Sequence, residues 1–356
     1  MAVLTEEQTM LRDMAREWAD NESPVTAFRK VRNSAPAAMF DTNAWQAQAE
    51  MGWAGILVPE AQGGVGMGYQ SLGVVLEQLG RTLAATPLAA TAVGTSALLL
   101  GGSEEQQTEW LPKIASGEVI ATLAIDEGPV FAPERLATSV EGGKLSGAKE
   151  FVAEGDSAGL FLVAANNGVY LVRKGEGVAV SPRHLADARS HAQVRFEGAP
   201  AEKLEGPADL LVRLTDRAAA AACAEMLGMC EAAFAQTNDY LKTRVQFGQA
   251  LSSFQALQHR MAKAFTEIEL MRSAVEGAFE AIDADRPDVG QAVSLAKAVA
   301  SETLNLVSRE MIQLHGGIGM TDEHDAGFYL KRARVLEAMW GNAAWHRDRF
   351  ARLNGY

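Results

Sequence analysis

Leu160-Phe161-Leu162-Val163-Ala164-Ala165-Asn166-Asn167-Gly168-Val169-Tyr170-Leu171-Val172 decides how this chain is built. Two short apolar runs flank an Asn-Gly step, which can supply the positive φ angles that a tight type I′ hairpin turn demands. Upstream, Thr138-Ser139-Val140 and Lys144-Leu145 flank Glu141-Gly142-Gly143 in the same way, and downstream Val194 and Phe196 alternate as a half-buried strand does. An antiparallel β domain is therefore expected over residues 119–207.

Helical periodicity surrounds it on both sides. In residues 1–118, Thr5 and Gln8 stand at capping-box spacing ahead of Met10, Leu11, Met14 and Trp18, and Ser103 and Gln106 repeat that spacing ahead of Trp110 and Leu111. In residues 208–356, Phe254, Leu257, Met261, Phe265 and Ile268 step by three or four. Val293, Ala296, Ala300, Leu304, Val307, Met311 and Leu314 keep nearly the same seam, with breaks at Arg286-Pro287 and His315-Gly316-Gly317. The order is helices, sheet, helices.

Composition agrees with two or three packed units: 356 residues, 48% hydrophobic, 22% charged, with a net charge of −13 from 45 acids against 32 bases. That balance, without a Lys/Arg block, argues against nucleic acid. Cys223 and Cys230, two turns apart on one helix, lie near ~10 Å and out of disulfide reach. No CxxC, HExxH or clustered His pattern points to a metal. MAVLTEEQ has no signal-peptide character, and LNGY carries no lipidation motif, so a cytoplasmic protein is expected. Thr82–Ser103 is uncharged for a span long enough to cross a bilayer, yet its Pro87, Gly94 and scattered Thr/Ser favour buried helices over membrane insertion.

Gly63-Gly64-Val65-Gly66-Met67-Gly68 lacks GxGxxG spacing and a βαβ context, so it reads as a loop. Arg244-Val245-Gln246-Phe247-Gly248 is more informative: a cation beside a Gly-permitted close approach suits phosphate, with Phe247 as an apolar face. The same residues also suit a helix C-cap with a dipole-complementing Arg and a core Phe. Gln313-Leu314-His315-Gly316-Gly317-Ile318-Gly319-Met320 is a second cluster, either a helix-ending turn or a place where phosphate or a planar group meets backbone N–H groups.

With these motifs in hand, the chain resembles the acyl-CoA dehydrogenase family over nearly its whole length. The ordered matches are Gly52-Trp53-Ala54-Gly55-Ile56-Leu57-Val58-Pro59-Glu60 with Gly63-Gly64, Leu76-Glu77-Gln78-Leu79-Gly80-Arg81, Ser103-Glu104-Glu105-Gln106 with Trp110-Leu111-Pro112 and Ser116-Gly117-Glu118, Arg244 to Gly248, Phe254-Gln255, and Gln313 to Gly319. The resemblance implies an α+β chain: an N-terminal α-helical domain, a central β domain and a C-terminal four-helix bundle. It also implies FAD shared between subunits, hence a dimer or tetramer. Arg244 would meet the neighbouring chain's pyrophosphate, Phe247, Leu251 and Phe254 the adenosine portion, and Gln313, Gly316 and Gly317 would meet it through side chain and backbone.

The family reaction is α,β-desaturation of an acyl-CoA thioester, in which a carboxylate removes the α proton while the β hydride passes to flavin. An electron-transferring flavoprotein is the implied acceptor. Here the resemblance breaks down. The usual Tyr-Glu-Gly-Thr run is Met339-Trp340-Gly341-Asn342, which puts Trp340 at the base position, and the alternative position on the preceding helix falls on Ala218 or Ala219. Asp216 is the nearest carboxylate and the candidate base, though it also reads as an N-terminal helix acid; Glu225 also reads as an interhelical ion pair. The flavin-side stretch Ile125-Asp126-Glu127-Gly128-Pro129-Val130-Phe131 is only faintly family-like. In Phe151-Val152-Ala153, Phe151 keeps a stacking face while Ala153 has lost a hydroxyl. Two readings follow: an FAD-dependent dehydrogenase with a divergent site, or a non-catalytic subunit that completes the FAD site of a paralogous chain, as in heteromeric members acting on steroid side-chain thioesters. An eliminating enzyme that needs no α-proton base is a third.

Overall fold

The computed structural model describes residues 4–356. Helices α1 (Glu6–Glu22), α2 (Val25–Ser34), α3 (Thr42–Glu50), α4 (Gly68–Arg81), α5 (Leu88–Gly101) and α6 (Glu104–Ala115) come first. Strands β1 (Ala121–Ala124), β2 (Ser139–Glu141), β3 (Lys144–Ala153), β4 (Leu160–Ala165), β5 (Gly168–Arg173), β6 (Val178–Pro182), β7 (His191–Pro200) and β8 (Glu202–Lys203) follow. Then come α7 (Leu210–Thr243), the ribbon β9 (Val245–Gln246) and β10 (Gln249–Ala250), and helices α8 (Gln255–Asp283), α9 (Val289–His315), α10 (Ala326–Ala338) and α11 (Ala343–Leu353). Both capping boxes form, with reciprocal bonds between Thr5 and Gln8 and between Ser103 and Gln106.

The elements group into two compact units. One holds Arg29–Gly68 and Ala85–Ala218, the other the chain up to Phe28, Tyr69–Ala84 and Ala219–Tyr356. In the first unit, two four-stranded sheets, β1-β4-β5-β8 and β2-β3-β7-β6, meet through the edge-to-face pair Phe161 and Phe196, 6.2 Å apart. β4 is buried at every residue, as its unbroken apolar run requires. The sheets are antiparallel apart from one pair: β1 runs parallel to β4.

The β4–β5 hairpin closes Ala165 against Gly168, but neither Asn166 nor Asn167 takes positive φ; Gly168 carries it alone at 146°. Type I′ signs occur instead at Gly142 and Gly143, φ 55° and 75°, between β2 and β3.

In the second unit the α9 stripe is buried from Val293 to Leu314 as expected. α7 and α4 cross so closely at Gly228 that a Cβ there would lie 1.8 Å from the Glu77 carbonyl oxygen. Other stripe members face outward. α1 buries Leu11, Ala15 and Ala19, which leaves Met10 and Met14, one position off that face, exposed; Phe265 is likewise exposed beside buried Met261 and Ile268. The uncharged Thr82–Ser103 stretch carries a helix of 14 residues, α5, too short to span a bilayer. Among the described residues only α7 is long and apolar enough, and 78% of its apolar window is buried inside the protein.

Candidate functional site

Arg244 to Leu251 form a ribbon between α7 and α8. Gln246 pairs with Gln249, which leaves Phe247-Gly248 as the two-residue turn, with φ 55° and 79°. These are I′ signs, natural for glycine and strained for phenylalanine. The helix-cap reading with a core Phe does not hold: Phe247 is 89% exposed and touches Phe254 edge-to-face at 6.1 Å. Arg244 is exposed and makes no side-chain hydrogen bond among the described residues, while its carbonyl accepts from the Leu251 N–H at 2.8 Å and closes the ribbon's base. Leu251 packs on the cluster of Leu241, Met261 and Leu314, so the ends of α7 and α9 and the start of α8 meet there.

The second glycine cluster lies at the same end of the bundle. His315, the last residue of α9, is buried and stacked on Tyr240 at 4.4 Å and against His324 at 4.4 Å; its Nδ1 lies 2.7 Å from the Met311 carbonyl. Tyr240 Oη donates to the His315 carbonyl at 3.3 Å. Burial holds the His315 pKa below its ordinary value, against the pull of the Met311 carbonyl. Beyond it Gly316 adopts φ 65°, ψ −140°, a conformation reserved for glycine, and a Cβ built on Gly316 or Gly317 would meet nothing within 4 Å. Packing therefore does not demand these glycines. Gln313 and Arg244 are exposed near the same end of the bundle, while the Gly316 N–H donates to the Gln313 carbonyl.

Phe151 belongs to the other unit. It sits where the β3–β7 register shifts between Lys149 and Val152, with φ 54° and 37% exposure. A bulge that re-aims an aromatic ring outward costs local strain, and such bulges are frequent beside ligand sites. Two residues earlier on β3, Lys149 is wholly buried and donates to the Ile125 carbonyl at 3.0 Å and to Glu127 Oε1 at 2.7 Å. Glu127 also accepts the Ala137 and Thr138 N–H groups. Burial alone would raise its pKa, but the Lys149, Thr138 and Ala137 hydrogen bonds outweigh it and pull the carboxyl to about 2. Burial pushes neighbouring Asp126 up to about 6 against the attraction of Lys149.

At the two positions where the resemblance would place a base, Ala218 and Ala219 are buried in α7, and Trp340 is half-buried at φ 58° ahead of Gly341 at φ 91°. Asp216 is 3% exposed and lies two turns inside α7, which begins at Leu210, so it is not the first-turn acid the sequence suggested. Glu225 forms the expected ion pair, bidentate with Arg332 at 2.8 Å to each oxygen. Glu231 pairs with Arg272.

Sequence reasoning missed Lys297 and His346, both wholly buried and both bonded to the chain around Trp340. The signal for Lys297 was there: a lysine amid Ala296, Ala298 and Ala300 on the buried side of α9.

Family models describe residues 5–118 as an acyl-CoA dehydrogenase N-terminal domain and residues 210–353 as an acyl-CoA dehydrogenase C-terminal domain. Acyl-CoA dehydrogenase IpdE2 of Mycolicibacterium smegmatis is 31% identical over 95% of this chain and 96% of its own. Among solved structures, the Tcur3481-Tcur3483 steroid ACAD superposes with a TM-score of 0.92 at 30% identity, covering 98% of both chains. The ChsE4-ChsE5 complex from Mycobacterium tuberculosis superposes at 0.91 with 26% identity over 99% of both. By its two domain matches, its near full-length relatives and its architecture, the chain belongs to the acyl-CoA dehydrogenase family.

Proposed function

We propose that this chain is a subunit of an FAD-dependent acyl-CoA dehydrogenase that desaturates a thioester at Cα–Cβ, and that it works beside a paralogous chain which supplies the catalytic carboxylate. One contrast carries the reading: the exposed Arg244–Leu251 ribbon and the open Gly316-Gly317 turn are kept, while Trp340, Ala218 and Ala219 stand at the base positions. A tryptophan has no acceptor for the α proton. FAD, when bound, supplies the hydride acceptor.

In this reading Arg244 holds pyrophosphate oxygens with its guanidinium, Phe247, Leu251 and Phe254 cover the adenosine, and Gln313, Gly316 and Gly317 meet it through side chain and backbone. Phe151 offers a face to the isoalloxazine. Lys149 and Glu127 fix the loop of Ile125 to Phe131 beside that face. The assembly is a dimer or tetramer of this chain and its paralogue in the cytoplasm, with an electron-transferring flavoprotein as acceptor. The neighbour named a steroid ACAD supports a bulky polycyclic acyl group over a straight chain.

The test is purification of the chain alone and co-expressed with a paralogous acyl-CoA dehydrogenase subunit, followed by flavin absorbance and bleaching with acyl-CoA. Flavin and turnover that require the partner are expected. Full activity of the chain alone overturns the reading. It would then favour a self-sufficient dehydrogenase with buried Asp216 as base, for which Asp216→Asn should abolish bleaching.

A further inference from the structure

The turn that carries Trp340 is fastened by two buried side chains from elsewhere in the chain. Lys297 lies about a third of the way along α9 and is wholly buried. Its Nζ reaches the Leu336 carbonyl at 3.0 Å, the Glu337 carbonyl at 3.4 Å, the Gly341 carbonyl at 3.0 Å and Ser301 Oγ at 3.3 Å. An ammonium has three donors and no acceptor, and here, besides Ser301 on its own helix, its acceptors are carbonyls from one end of α10 and from the turn beyond it. The carbonyls at that end have no helical partner of their own and carry the negative end of the helix dipole, so a cation suits them.

His346 holds the remaining carbonyl. Its Nε2 lies 2.9 Å from the Trp340 oxygen, and the residue is wholly buried. Burial pushes its pKa down to about 3, so the ring is neutral at working pH, and the bond fixes the proton on Nε2. Asn342 accepts the Trp345 N–H at 2.9 Å and starts α11 immediately after the turn. A Cβ on Gly341 would lie 2.7 Å from the Trp345 ring and 3.0 Å from His346 Nε2, so the turn has no slack.

Capping a helix end does not need a buried ammonium; exposed lysines or water serve most helices. Burying one is costly and is recovered only where it organises several acceptors at once. Here it organises the two sides of a left-handed Trp-Gly step whose first residue stands at a base position of the family. Both consecutive positive φ angles fall between carbonyls that Lys297 and His346 hold.

We infer that Lys297 is a positioning residue that locks the Trp340–Gly341 turn, so that the Trp340 indole stands as a fixed, uncharged wall of this chain's acyl-thioester site. The locking rests on the geometry above; the wall rests on the function proposed for the chain. Lys297 touches no substrate and acts through the turn.

The experiment uses the chain with its co-purified partner subunit, labelled with 5-fluorotryptophan and observed by 19F NMR. The Trp340 line among the six tryptophans is assigned by Trp340→Phe. Lys297→Met should shift or broaden the Trp340 line while leaving those of Trp45 and Trp53 in place; an unchanged Trp340 line overturns the locking role. Should Lys297→Met not fold, Lys297→Gln, which keeps two donors, is read the same way. Cholyl-CoA, a polycyclic acyl thioester, titrated into the wild type, Lys297→Met, Trp340→Ala and the double variant then tests the wall. Lys297→Met should change affinity several-fold alone and have no further effect in the Trp340→Ala background. Equal effects in both backgrounds, or no cholyl-CoA binding by the wild type, overturn the wall while the fluorine result still judges the locking.

Discussion

Phe247-Gly248 and Trp340-Gly341 are the same local device, an aromatic residue and a glycine both held at positive φ, placed in opposite surroundings. Around the first, a Cβ on Gly248 would meet nothing within 4 Å, and the ring is 89% exposed. Around the second, buried Lys297 and His346 take the carbonyls, and Trp345 fills the space a Cβ would need. A left-handed aromatic costs about 1–2 kcal/mol wherever it occurs. What differs is what sustains it: ribbon hydrogen bonds around an exposed ring, or buried polar side chains that hold the backbone carbonyls of the step. The first arrangement suits recognition and the second suits a fixed surface.

The matched glycine substitutions should separate the two most widely. Gly341→Ala should cost about 3 kcal/mol, combining left-handed strain with a clash against Trp345 and His346, whereas Gly248→Ala should cost only about 1 kcal/mol. Denaturant midpoints of the two variants measure this directly, and equal losses would dissolve the distinction.

Arg244→Glu should leave folding unchanged and weaken FAD binding by roughly a hundredfold, about 2.8 kcal/mol, as titration of apoprotein with FAD would show. Undiminished affinity would mean that the ribbon does not serve the cofactor.

His346→Gln should sharpen the contrast through pH. In the unfolded chain the imidazole takes its proton at its ordinary value of 6.5, whereas burial holds it off until about 3 in the fold. The unfolded state therefore binds more protons inside that window, and wild-type stability is lost as pH falls from 6.5 toward 3. The contribution is at most about 5 kcal/mol, and the variant's stability curve should lack it. The smallest effect is expected from Phe247→Gly, which should raise stability by about 1 kcal/mol through relief of strain while lowering FAD affinity.

The parts legible in the sequence were those written in neighbouring residues. The capping boxes at Thr5 and Ser103 depend on partners three positions away, and the α9 seam depends on spacings of three and four, so both were readable. The Asn-Gly step marked the right hairpin, but the turn took another conformation, because the register of β4 and β5 put Gly168 in the strand and the asparagines in the loop. Periodicity alone puts Met10, Met14 and Phe265 on apolar stripes, but the choice between adjacent faces falls to what packs against each helix, and all three are exposed. The parallel pairing of β1 with β4 joins segments far apart in the chain, beyond any local pattern.

The sequence by itself determined the succession of helices, strands and helices and the family resemblance. These follow from residue identity and short-range periodicity. Only the tertiary structure decided that Phe247 faces solvent, that Phe151 rides a bulge, and that Lys297 and His346 reach across to frame Trp340. The first two depend on what packs or pairs against each ring's strand, and the last on which distant backbone carbonyls fold within hydrogen-bond reach; a carbonyl carries no side-chain signature for a sequence to display.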